Sequence, residues 1–243
     1  MNFLIEIFNS LLYRPLFNAL IFLYQFLPGN DFGIAVIALT ILIRIILSPF
    51  MTRSLKSQGM MAEVQEELKE IQRIYKENPE KQMKQITTLY KEKQINPFDG
   101  IIFMLIQLPL LIALYRVFWR GINLEELNYL YSFIPRPEVI NFKFLNLIDL
   151  SRPSLVLSVL AGGVQFIQSK TIKKTPKPKS NPKTKEPQER TAEMISKQML
   201  FFFPILTIII LLRLPAAVGL YWVITSLFSV VQQGLLNRNQ AKI

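Results

Sequence analysis

The 243-residue chain is 51 % hydrophobic, carries a net charge of +11, and contains no cysteine and no histidine. These totals exclude a disulfide framework, a thiolate nucleophile, a lipid-modified cysteine and the usual zinc ligands, and they remove the commonest general base. Apolar and charged residues fall in separate blocks, which predicts an all-α polytopic membrane protein.

The first ten residues, "MNFLIEIFNS", hold no Lys or Arg. They match neither the basic start of a cleavable signal nor an Arg-rich transit peptide, so the mature chain is expected to begin here. Within residues 1–31 the apolar run 16–27 lies between Arg14-Pro15 and Pro28-Gly29-Asn30-Asp31. At about 12 residues it falls short of the roughly 20 that cross a hydrocarbon core. An outer interfacial helix is expected, with a short crossing as the alternative.

Residues 32–52 form the first predicted span, expected to stop at Pro49 and at the charges Arg53 and Lys56. Residues 53–96 are polar with apolar positions at helical spacing: Met61, Val64, Leu68, Ile71 and Tyr75, then Met83, Ile86 and Tyr90. Asn78-Pro79 separates the two sets, so the segment reads as a helical hairpin outside the bilayer. The second span is 97–118, with Gln107, Pro109 and Tyr115 inside it, and residues 119–153 form a loop of mixed charge. The third, 154–169, is less apolar and carries Ser158, Gly162, Gly163, Gln165 and Gln168. Small and amide side chains suit helix contacts or a wet cavity better than lipid. Residues 170–195 are Lys- and Pro-rich without an apolar period and read as a disordered basic linker. The fourth and fifth spans, 196–214 and 216–236, are separated by Pro215.

Lysine and arginine orient these elements. Twenty fall in residues 51–95, 170–197 and the tail after Leu236, and five fall in residues 1–31 and 119–153. That bias predicts the hairpin, linker and C-terminus in the cytoplasm and the N-terminus outside, so most of the net charge is topology.

No catalytic constellation is present: the only adjacent glycines are Gly162-Gly163, and neither HExxH nor GxSxG occurs. The residue that asks for a role is Arg44, alone in the apolar stretch "ALTILIRIILSPF". Its position four or five residues before the expected span end allows snorkelling to the headgroups. The other reading turns it toward a water-filled cavity, since an intramembrane charge costs at least ~2.5 kcal/mol on insertion scales and usually marks function. Thr40 and Ser48, four residues to either side, extend one polar face, and the spans offer no deep acidic partner. Gln107, Gln165, Trp222, Thr225 and Ser226 have the same two readings, as interhelical glue or as contacts in a shared cavity. Met60 and Met61, expected exposed on the hairpin, could offer an adaptable apolar contact. The linker sits near anionic lipid, with ribosomal RNA as a second candidate partner.

The stretches "TILIRIILSPF", "LYKEKQINPFDGIIFMLIQLPLLIALY" and "LPAAVGLYWVITSLFSVVQQ", in this order of spans and loops, resemble the YidC/Oxa/Alb family of membrane protein insertases. The resemblance covers nearly the whole chain from Pro15. It implies five transmembrane helices around a hydrophilic groove, open to the cytoplasm and lipid and closed on the outer side. It also implies a protein that is not an enzyme and needs no cofactor. Among bacterial plasma membrane, thylakoid and mitochondrial membrane, the absence of a transit peptide favours the bacterial plasma membrane. The implied partners are newly made membrane proteins and lipid, with the ribosome, signal recognition machinery and Sec translocon as delivery partners and no DNA. The family's groove arginine falls on Arg44, its groove glutamine on Gln165 and its last-span aromatic on Trp222. The large periplasmic domain and the lipobox cysteine of some members are missing, and the short tail "NRNQAKI" leaves the linker as the obvious basic docking segment. A small anion transporter using Arg44, and an assembly chaperone without insertion activity, are the rival functions; no paired repeat supports the transporter.

Overall fold

The computed structural model describes residues 2–96, 98–119, 126–172 and 187–240. Most of the expected basic linker, Pro97, the start of the 119–153 loop and the last three residues lie outside the described residues.

Helix α1 (Asn2–Phe8) passes through a π-helical turn (Asn9–Tyr13) into α2 (Arg14–Phe26). The break expected at Arg14-Pro15 therefore does not occur. Pro15 stands in the first turn of α2, directly after the π-helical turn that Arg14 N–H closes on Asn9 O. Arg14 is accommodated by the Tyr129 carbonyl, which accepts from its Nε at 3.1 Å, and by the Tyr131 ring 4.8 Å away. The continuous segment Phe3–Phe26 has the length and apolarity to cross a membrane, as do Phe32–Met61 and Ala216–Arg238. The length argument for an interfacial helix is thus removed.

Helix α3 (Phe32–Glu63) begins under an Asp31 cap, whose Oδ1 accepts from Ile34 N at 3.0 Å. It runs through Pro49 rather than stopping there. Two hairpin helices follow, α4 (Gln65–Ile74) and α5 (Pro79–Glu92), the second capped by Asn78, whose side chain accepts from Lys81 N. Then come α6 (Asp99–Trp119), α7 (Leu155–Ile172), α8 (Pro187–Leu211) and α9 (Ala216–Gln240). The α6–α7 loop adds one element the all-α expectation lacked, an antiparallel pair β1 (Lys143–Phe144) and β2 (Ile148–Asp149). At its foot the Ser151 hydroxyl donates to Asp149 at 2.6 Å and holds that carboxyl below its ordinary value.

The core has two unlike ends. Where α2, the start of α3, the end of α6, the α6–α7 loop and the start of α9 meet, it is mainly apolar, with Tyr13, Phe17, Leu20, Ile21, Phe32, Leu114 and Leu150 nearly inaccessible and the buried Asn18 and Glu126 hydrogen-bonded to Tyr131 N and the Tyr13 hydroxyl. Further along α3 and α9 the buried residues turn polar: Thr40, Arg44, Ser54 and Ser57 on α3, and Ser226, Ser229 and Gln232 on α9. The two helices run parallel. Gln232 Nε2 donates to Ser48 O, Ser48 Oγ and Thr52 Oγ1 at 3.1, 3.1 and 2.8 Å. These bonds pack α9 against α3 on either side of Pro49.

Candidate functional site: the polar face around Arg44

Arg44 is 4 % exposed. Because α3 continues past Pro49, it sits twelve residues after Phe32 and nine before Arg53, about 18 and 13 Å along the helix. That is mid-run and not the near-terminal position that favours snorkelling. Its Nη1 donates to Met51 Sδ at 3.2 Å, two turns further along the same helix, and Met51 Sδ also accepts from Ser229 Oγ at 4.0 Å. A thioether is a weak acceptor. Among the described residues no carboxylate pairs with Arg44.

Of the other expected groove residues, Gln165 and Trp222 bond to each other, and the rest are placed separately. Gln107 on α6 donates from Nε2 to the Tyr221 hydroxyl at 2.7 Å, and Tyr221 is close enough to Arg44 to interact electrostatically. Among the described residues, the buried Gln107 Oε1 and Thr225 Oγ1 atoms have no hydrogen-bond partner. Trp222 Nε1 donates to Gln165 Oε1 at 3.1 Å, linking α9 to α7. Ser226 is buried on α9, one turn before Ser229. Thr40 is buried and its hydroxyl donates back to Val36 O at 2.6 Å, which leaves its oxygen free to act only as an acceptor.

Met60 and Met61 are not exposed as expected. Both are half-buried at the hairpin base, packed on Val64, Leu89 and Ile95. The exposed large apolar residues of the hairpin are Ile74 and Met83, nearer its tip. The helical period put Met61 correctly on the Val64 face; what it lacked was the return strand of chain through Ile95 that covers that face. Met51, Tyr221, Ser229 and Gln232 were missed as site residues. Their signal was present, since Ser229 and Gln232 follow Thr225 at intervals of four and seven.

Two cavities flank this face. One of about 260 Å³ lies between α6, α8 and α9, with an almost wholly apolar lining that includes Leu111, Ile112, Tyr115, Ile210 and Trp222. The other, about 310 Å³ and more polar, lies at Pro49, Thr52, Arg53, Lys56, Gln94 and Asn96, beside the hairpin base. Among the described residues no three His, Cys, Asp or Glu side chains come together to hold a metal ion.

The Gln165–Trp222 bond makes a strut that a double-mutant cycle measures. Gln165→Leu and Trp222→Phe are expected to be non-additive in thermal unfolding by about 0.6 kcal/mol, the usual worth of an interhelical hydrogen bond in a membrane. Additive effects would show that the two side chains act separately.

Comparison with known proteins gives the same answer over most of the chain. The family model described as "60Kd inner membrane protein" matches residues 22–242. "Membrane protein insertase YidC" of Clostridium tetani is 33 % identical over 215 residues, covering 88 % of this chain and 86 % of that protein. The protein of the same name from Fusobacterium nucleatum is 34 % identical over 214 residues, covering 87 % and 89 %. The Chlorobium limicola protein of that name is 32 % identical over 211 residues, but the match spans only 33 % of its length. Apolar helices of crossing length, the IQ.P…ALY stretch on α6 and this match over residues 22–242 agree: the chain belongs to the 60Kd inner membrane protein family, the YidC/Oxa/Alb family.

Proposed function

We propose that this chain is a membrane protein insertase that receives the polar tails of its substrates at Arg44 and releases their apolar helices into lipid. One observation carries the reading: a buried guanidinium in mid-run whose hydrogen-bond partner is a thioether. An uncompensated cation in a low-dielectric site attracts an acidic or polar segment and lowers the cost of bringing that segment into the bilayer. The polar face of α3 and α9 and the cavity beside Arg53 and Lys56 offer the approach. The apolar cavity between α6 and α8 offers a sideways exit for the substrate helix. The names of the relatives support the same function.

In this reading α3, α6, α7, α8 and α9 are the five spans of a bacterial plasma-membrane protein. The hairpin and C-terminus face the cytoplasm and the N-terminus faces out, as the lysine and arginine bias requires. The membrane potential assists an acidic tail by about 2.3 kcal/mol per charge per 100 mV. The ribosome, signal recognition machinery and Sec translocon would engage the chain on the hairpin and linker side.

The test is a single-span substrate offered to vesicles containing the purified protein, with an anion-flux assay on the same vesicles. Substrate tails should become protease-protected only when the protein is present, without anion flux. Flux without protection would overturn the proposal in favour of the anion transporter, and binding without protection in favour of the chaperone.

A further inference from the structure

The β1–β2 hairpin of the α6–α7 loop has one face turned into the protein. Phe144 packs on the main core, and a Cβ on Gly33 would collide with its ring, so the ring lies on the first turn of α3. Asp31, which caps α3 through Oδ1, accepts the Leu145 N–H with Oδ2. At the other foot the Leu150 carbonyl accepts from Ala217 N and the Arg152 carbonyl from Ala216 N, tying the segment to the first turn of α9. The hairpin is therefore held at the level where the apolar runs of α3 and α9 begin. For helices that cross a bilayer, that level is the membrane boundary.

Its tip is built against local preference. Leu145 and Asn146 have φ of +50° and +58°, a left-handed pair that hairpin turns usually fill with Asn, Asp and Gly. A leucine is disfavoured there because its Cβ crowds the following carbonyl. Leu145 is nevertheless 58 % exposed and Leu147 84 % exposed, flanking Asn146. In water this turn would combine backbone strain with two uncovered apolar side chains. At the headgroup–acyl border the same side chains are buried by lipid. Six residues beyond β2, α7 opens with Leu155 and Val156, also exposed, so the tip lies next in sequence to a helix face that lipid covers.

We infer that the Leu145–Leu147 turn is an interfacial anchor, seated in the acyl border of the leaflet at the N-terminal end of α3. It fixes the apolar, closed end of the bundle against the bilayer through Asp31 and the first turn of α9. The inference does not depend on what Arg44 binds.

The chain has no cysteine, so one introduced cysteine carries a nitroxide label without other changes. In full-length protein reconstituted into phosphatidylethanolamine–phosphatidylglycerol vesicles, a label on Leu147→Cys is expected to show a several-fold higher ratio of oxygen to water-soluble nickel-chelate collisions than a label on Glu80→Cys. Equal ratios would overturn the anchor. So would shielding from both reagents, which would mean that a second copy or another protein covers the turn. A label on Asn146→Cys leaves both leucines in place and should report the same immersion. Adding Leu145→Ser and Leu147→Ser should then lower its ratio to that of Glu80→Cys. An unchanged ratio would show that the leucines do not hold the turn in lipid.

Discussion

Replacing Arg44 by alanine is expected to reduce insertion of a single-span substrate by at least about tenfold, at equal protein in the vesicles. At an effective dielectric constant near 20, two charges about 4 Å apart attract by about 4 kcal/mol, and each 1.4 kcal/mol is a factor of ten. A partly hydrated groove retains enough of that attraction to make the loss large. The variant should fold at least as well as the parent, because it removes a buried charge whose hydrogen-bond partner is the Met51 thioether. Normal accumulation with lost insertion therefore separates function from stability. Arg44→Lys is expected to keep a substantial part of the activity if charge alone is used. A lysine form as inactive as alanine would instead point to the planar fork of the guanidinium. Unchanged insertion by the alanine form would end the groove-arginine mechanism, while leaving the membership of the family intact.

A large effect on stability is expected at Gly162, where two spans of the proposed bundle meet. Helices α7 and α8 approach so closely there that an added Cβ would stand 2.5 Å from Ile208 Cγ1 and 3.0 Å from the Pro204 carbonyl oxygen. Small residues at helix contacts permit this approach in a membrane, where dispersion and hydrogen bonds replace the hydrophobic drive. Gly162→Leu should destabilise by about 1–3 kcal/mol, as overpacking does, with a lower thermal midpoint and reduced accumulation in the membrane. The first clash is with a side chain, so Ile208→Ala in the same molecule should recover part of the loss, whereas the Pro204 carbonyl cannot retreat as easily. Gly163 is the control: nothing lies within 4 Å of a Cβ built there, and Gly163→Ala should be nearly neutral. Equal effects at the two glycines would show that backbone freedom, not close packing, is what Gly162 supplies.

Part of this architecture was legible without coordinates because it depends on local quantities. Asn78-Pro79 does separate the hairpin helices, with Asn78 capping the second, and Pro215 does divide α8 from α9. A cap and a proline act on the residues beside them. The same local logic failed at Pro49 and at Arg14-Pro15. Pro49 was read as a stop and Arg14-Pro15 as the bound before a short apolar run, yet α3 runs on with Gln232 of α9 bonded to Ser48 and Thr52, and Tyr129 and Tyr131 of the α6–α7 loop receive Arg14. Those partners are more than a hundred residues away in the chain.

Composition, block patterning and the spacing of Thr40, Arg44 and Ser48 by themselves determined a helical membrane chain with one polar face to explain. Only the tertiary structure decided what that face meets. It joined Gln165 to Trp222 and Gln107 to Tyr221, aimed Arg44 at Met51, turned Thr40 back on Val36 and folded Met60 and Met61 into the hairpin base. The reason is geometric. Helical period says which residues of one helix share a side, but the partner of a polar side chain depends on the rotation and register of the neighbouring helix, and those follow from packing across the whole bundle.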